Sequence, residues 1–408
     1  MQPEKLGFSS SRLQTLDRYF AERFVDRGLI PGAMTLVARE GEIAHMSLYG
    51  MADVERGKKL SEDTIFRIYS MTKPVTSVAF MMLVEEGKVA LDDPVHRVIP
   101  EWRDLRVYKA GFMETFQTTR PERPMQMIDL LRHTSGLTYG FQTRTNVDAA
   151  YRKLGIGGIE KSGTLDDMVA KLAGLPLEFS PGALWNYSVS TDILGYIVGK
   201  LSGMKFEQFL QQRIFGPLGM VDTDFFVPPE KHARLAATYA PKPGGGMFLY
   251  DDPAKSSYLA PPALVSGGGG LVSTIADYYR LCSMLLAGGT FGGVQYLSPK
   301  TLELMTQNHI PGGRSLGEAS ISMFSEQASL GTGFGLGFSV NMSPALSMVP
   351  GSVGEYAWGG AASTYFFIDP REKMIVIFMT QLLPSSTYPA MRRDLRTLVY
   401  SAMTRMHA

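Results

Sequence analysis

Ser70 and Lys73 stand three residues apart in YSMTKPVTSVAFMMLVEEG, where a polar turn runs into an apolar stretch. Residues at this spacing are neighbours on one helix face, so a hydroxyl and an amine meet there. A serine hydroxyl is a weak nucleophile, and an adjacent amine that accepts its proton activates it. Pro74 fits the first turn of such a helix, because its missing N–H has no intrahelical partner to lose. The plainer reading makes Ser70 a helix cap.

Two other stretches imitate this chemistry. Ser202 and Lys205 repeat the spacing, but Gly203 closes one helix and Phe206 opens the next, so a helix-to-helix turn accounts for them. Gly313-Arg314-Ser315-Leu316-Gly317 matches the nucleophile-elbow pattern, with His309 and Glu318 nearby. An elbow needs an apolar strand before its serine, and QNHIPGG is not one; Ser315 is the minor serine candidate, in an expected surface loop. Tyr187 follows a Pro181-Gly182 turn and precedes a helix with apolar Ile193, Leu194, Ile197, Val198 and Leu201. Taken alone, it reads as a half-buried aromatic with a hydrogen-bonded hydroxyl.

The elements that must position these groups have two periodicities. Ala33 to Gly50 reads as two β-runs about Glu40-Gly41, and Tyr365 to Gln381 repeats that design around Pro370. Joining the two hairpins gives one antiparallel sheet, flanked by an N-terminal helix through Leu13, Leu16, Phe20 and Phe24 and a C-terminal helix over 389–405. Between them the spacing predicts helices over 74–86, 125–132, 165–173, 190–201, 206–215 and 274–286. The expected class is α/β of the α+β type. Residues 1–88 and 265–408 form the sheet domain, 89–264 form an inserted, mainly helical domain, and the active site lies at their interface.

At this point four segments in order resemble the motif series of the serine β-lactamase and penicillin-binding-protein superfamily: Ser70-Met71-Thr72-Lys73, His133-Thr134-Ser135-Gly136-Leu137, Tyr187-Ser188 and Trp358-Gly359-Gly360. Within it the chain most resembles the family VIII carboxylesterases, the esterase branch close to class C β-lactamases, over nearly its whole length. The resemblance implies a β-lactamase-like fold. It also implies an acyl-enzyme on Ser70, with Lys73 and Tyr187 moving the proton and the backbone N–H groups of Ser70 and Ala361 as oxyanion hole. Both bases ordinarily titrate near about 10, so one must be shifted by roughly two to three units; which one is left open. His133 is expected to be structural.

Where β-lactamases carry Lys-Thr-Gly, this chain has Trp358-Gly359-Gly360, an indole in place of a carboxylate-binding cation. Where the tyrosine motif usually ends in asparagine, it has Val189. The expected substrate is an uncharged ester of short to medium acyl chain, with apolar parts against Trp358, Trp185 or Tyr356. Weak β-lactam hydrolysis is an expected side activity. Acyl transfer, a β-lactamase or peptidase, and a non-catalytic binding protein are the alternatives.

Of 408 residues, 45% are apolar, and 40 basic side chains face 39 acidic ones, which gives no electrostatic footprint for nucleic acid or an anionic membrane. The first residues have no basic head followed by an apolar block, and no apolar run is long enough to span a bilayer. A lone Cys282 excludes an internal disulfide and suits a reducing compartment, so a cytoplasmic protein is expected. Six scattered histidines offer no metal-ligand spacing; no metal or organic cofactor is implied, and the oligomeric state stays open.

Overall fold

The computed structural model describes residues 2–322 and 330–407; the ends of the expected sheet domain and residues 323–329 within it lie outside them. The strands of the main sheet are β1 (Gly32–Arg39), β2 (Glu42–Asp53), β3 (Lys58–Lys59), β4 (Thr332–Phe334), β5 (Ser339–Asn341), β6 (Tyr356–Gly359), β7 (Tyr365–Asp369) and β8 (Met374–Met379). Their order is β4-β5-β6-β7-β8-β1-β2-β3, and every pairing is antiparallel. Glu40 and Gly41, which join β1 to β2, have φ of 56° and 84°. Two left-handed residues in succession match the right-handed twist of a hairpin.

The near-continuous apolar runs of β1, β7 and β8 follow from a sheet covered on both faces. Alternate side chains of β8 separate cleanly: Met374, Val376 and Phe378 join one core, and Ile375, Ile377 and Met379 join the other. The first core is closed by α1 (Ser10–Phe20) through Leu13, Leu16 and Phe20, and by the C-terminal helix (Ala390–Ser401) through Met391, Leu395 and Val399. Each such side chain contributes about 1.5–3 kcal/mol by leaving water. The second core takes in α2 (Thr72–Glu85) and α3 (Ser190–Ser202), which pack on each other, and α4 (Ile275–Leu286), which packs on β8.

Helix α2 is buried all round from Thr72 to Leu83, so it is a core helix and its start is held firmly. The chain entering it is fixed by a short antiparallel pair, Phe66–Arg67 with Val272–Ser273. There Ile68 N–H donates to the Leu271 carbonyl at 3.1 Å, and Leu271 N–H donates to the Thr72 hydroxyl at 3.1 Å. The glycine-rich 267–270 stretch is thereby set beside the N-terminus of α2.

The central region departs from the helical reading in two places. Val107–Ala110 pairs with Gln117–Thr119, and Thr238–Pro241 pairs with Met247–Asp251. The second hairpin bonds to the chain beyond β8: Tyr239 N–H donates to the Gln381 carbonyl and Leu383 N–H to the Tyr239 carbonyl, at 2.9 and 2.8 Å. Among the described residues no helix is long and apolar enough to cross a membrane.

Candidate active site

Ser70 sits in a single tight turn, Tyr69–Met71, immediately before α2. Tyr69 has φ of 41°, a left-handed conformation that is costly for a bulky side chain and that aims the following residue. Neither Ser70 nor any neighbour makes a side-chain cap to the helix. The Ser70 hydroxyl instead accepts hydrogen bonds from Tyr187 Oη at 2.6 Å and from Lys73 Nζ at 3.3 Å. The three groups singled out by spacing are therefore brought together.

Lys73 is 2% exposed and donates also to Tyr139 Oη at 3.0 Å and the Gly268 carbonyl at 2.6 Å, while lying 4.4 Å from the Tyr187 ring centroid. Burial brings its pKa down to about 7; Asp192 opposes that fall and Lys161 assists it. Burial pushes the Tyr187 phenol upward, against smaller pulls from Ser70 and the Trp358 indole. Near neutral pH the amine is therefore substantially unprotonated while the phenol keeps its proton.

Tyr187 is packed among aromatic neighbours. Trp185 stacks on it at 6.2 Å between centroids, and His133, Tyr139 and Trp358 lie at 5.0, 5.3 and 5.6 Å. Gln142 Nε2 donates to its carbonyl at 2.6 Å, and Asn186 N–H donates to the His133 carbonyl at 2.9 Å. Burial keeps the His133 imidazole well below its usual pKa; with Nδ1 3.2 Å from Ser188 Oγ, it acts as packing beneath the tyrosine.

The end of β6 presses on the Ser70 turn. A Cβ added to Gly360 would lie 2.2 Å from Thr364 Oγ1 and 2.4 Å from the Ile68 carbonyl, so this close approach requires glycine. One added to Gly359 would strike the Arg392 guanidinium at 2.3 Å. Ser70, Tyr187, Trp358, Gly359, Gly360 and Ala361 all line a cavity of about 510 Å³. Phe141, Ile159, Leu264 and Leu383 give it apolar walls, and Phe248 and Tyr250 from the 238–251 hairpin belong to its lining. This volume accommodates a small organic molecule.

Three expected substrate contacts need correction. Trp185, Tyr356 and Val189 are 0%, 2% and 0% exposed and do not line the cavity. Trp185 backs Tyr187, Tyr356 packs on Phe338 at 5.1 Å, and Val189 lies under Gly157. Each is one layer too deep to meet a ligand. Ser315 is explained by its capping box: its hydroxyl bonds Glu318 Oε2 at 2.7 Å and it caps the turn Leu316–Ala319. Ser202 accepts from Met204 N–H in the turn that Gly203 closes at φ of 70°.

Sequence reasoning missed Tyr139, Asp192, Lys161, Gly268 and Arg392. Asp192 Oδ1 accepts from Gly268 N–H at 3.0 Å and from Ser266 Oγ at 2.5 Å. Arg392 donates to the carbonyls of Gly360 and Thr364 at 3.0 and 3.1 Å, which steadies the loop after β6. An acid at the head of an otherwise apolar helix was the one available signal for Asp192.

A family model described as Beta-lactamase matches residues 17–401. Protein Rv1367c of Mycobacterium tuberculosis is 36% identical over 368 residues, which are 90% of this chain and 89% of that protein. Esterase EstB of Burkholderia gladioli is 30% identical over 410 residues, 96% of each chain. Among solved structures, EstCE1, described as a hydrolase with promiscuous acyltransferase activity, matches with a TM-score of 0.80 at 27% identity, covering 98% of this chain and 99% of its own. The fold is β-lactamase-like.

Proposed function

We propose that this chain, which belongs to the beta-lactamase family, is a serine carboxylesterase of the family VIII kind acting on esters of short to medium acyl chain. The observation that carries the reading is the Ser70 hydroxyl bonded at once by a phenol at 2.6 Å and an amine at 3.3 Å, at the wall of a cavity with apolar sides. The neutral Lys73 amine takes the Ser70 proton as Oγ attacks the ester carbonyl. The oxyanion is met by the N–H groups of Ser70 and Ala361. Tyr187 gives its proton to the departing alkoxide and regains one from Lys73, which completes the acyl-enzyme. Water then repeats the sequence in reverse, and Ser70 recovers its proton.

Trp358 supports an ester over an anionic β-lactam, since an indole stands at the cavity wall where family β-lactamases hold a lysine. Weak β-lactam hydrolysis remains a side activity. The likeness to EstCE1 favours one second reading, acyl transfer to an alcohol, which product partition with added alcohol measures. A cytoplasmic location belongs to the same proposal and is supported by the single, buried Cys282.

The test is hydrolysis of a chromogenic butyrate ester. Activity collapses in Ser70→Ala and survives in Ser315→Ala, whose lost cap costs about 0.5–2 kcal/mol of stability. The opposite pattern overturns the assignment.

A further inference from the structure

Lys161 sits on a glycine-rich stretch in which Gly155, Gly157 and Gly163 all have positive φ. Its ammonium reaches the cavity wall and donates to the Gly269 carbonyl at 2.8 Å and to Tyr258 Oη at 3.1 Å. The preceding carbonyl, that of Gly268, accepts from the Lys73 amine at 2.6 Å. Two lysines distant in sequence thus hang on consecutive carbonyls of one turn. That turn is closely packed: a Cβ on Gly268 would fall 2.7 Å from Asp192 Oδ2 and 3.0 Å from Tyr139 Oη.

We propose that Lys161 is a positioning residue for the reaction at Ser70: its charge, fixed on the carbonyl next to the one that binds Lys73, adds to burial in opposing a second charge there and helps to keep Lys73 in its proton-accepting form. The catalytic consequence rests on the esterase reading; the coupling between the two amines does not.

The groups around Lys73 are Ser70 at the head of its own helix, Tyr139, Tyr187 and the neutral His133 from the central region, Asp192 from α3, and Lys161. Arg392 acts on Tyr187 from the C-terminal helix. Asp192 favours the charged amine, and Lys161 is the cation that opposes it. Burial lowers Lys161 itself to about 8, with Asp192 opposing. Lys161 is therefore still largely charged in the pH range where Lys73, at about 7, loses its proton.

The experiment compares pH profiles of kcat/KM on a neutral butyrate ester for the native protein, Lys161→Met and Lys161→Arg. The acid limb, expected near pH 7, moves up by roughly one pH unit in Lys161→Met, the size of shift a nearby charge produces. The rates converge on the alkaline side, and Lys161→Arg keeps the native limb. A loss equal at every pH, or an unmoved limb, overturns the proposal. Carbon NMR titration of labelled lysine side chains, with Lys73 assigned by Lys73→Arg, reads the coupling without turnover. A midpoint that rises in Lys161→Met while the native protein leaves the ester intact sustains the coupling and refutes the esterase reading. An unmoved midpoint refutes the coupling whatever the turnover.

Discussion

Replacing Tyr187 with phenylalanine removes one oxygen and almost nothing else. The ring keeps Trp185, His133, Tyr139 and Trp358 around it. The lost hydrogen bond is the 2.6 Å contact to Ser70, whose hydroxyl keeps Lys73 at 3.3 Å and faces the cavity. A single neutral hydrogen bond is worth about 0.5–1.5 kcal/mol net, and the phenol also pays for burial. In a chain of 408 residues 1 kcal/mol moves Tm by about 1 °C, so the variant melts within roughly 2 °C of the native protein. Proton transfer to the leaving alcohol is a different matter, and its loss costs about a hundredfold to ten-thousandfold. Steady-state kcat/KM on a chromogenic butyrate ester, alongside a thermal melt, gives both numbers. A natively melting Tyr187→Phe that retains activity within about threefold refutes Tyr187 as the proton carrier.

Gly360→Ala places a methyl group against the Ile68 carbonyl and Thr364 Oγ1 and so forces the end of β6 away from the Ser70 turn, which displaces the Ala361 N–H proposed as an oxyanion donor. Ester hydrolysis falls by about a hundredfold or more, and melting reports a loss of about 1–3 kcal/mol. Lys73 titrates near 7 when folded and near 10.5 when unfolded, so between those values the unfolded chain binds more protons and Lys73 makes stability rise with pH. Denaturant melts across pH 7 to 10 show this slope in the native protein and a shallower one in Lys73→Met; parallel slopes contradict the depressed amine.

The sheet hairpins and most helices were legible because burial on two faces leaves long apolar runs in β1 and β8, and helical spacing survives in α3 and α4. Strands β4 and β5 were not: each has three residues, set among the glycines of GTGFGLGFSVN, too short for a periodicity of two to show. The 238–251 hairpin was lost in the same way, since Pro241 and three consecutive glycines read as loop alone. At the site, Ser70 and Lys73 were singled out because their types and spacing matched a chemistry, and Tyr187 by the motif series it resembles; the fold brings the three together. Tyr139 and Asp192 were not singled out, because only the fold brings Gly268 between them. Trp185, Tyr356 and Val189 were assigned to substrate from their types, but sequence does not tell a cavity wall from the layer behind it.

The most direct test of the account is a mass spectrum taken after brief exposure to an alkyl phosphonate ester, with the labelled peptide sequenced. One adduct is expected, on Ser70, and its formation slows in Lys73→Met and in Tyr187→Phe. An adduct on Ser315, or none on Ser70 in the intact protein, contradicts it.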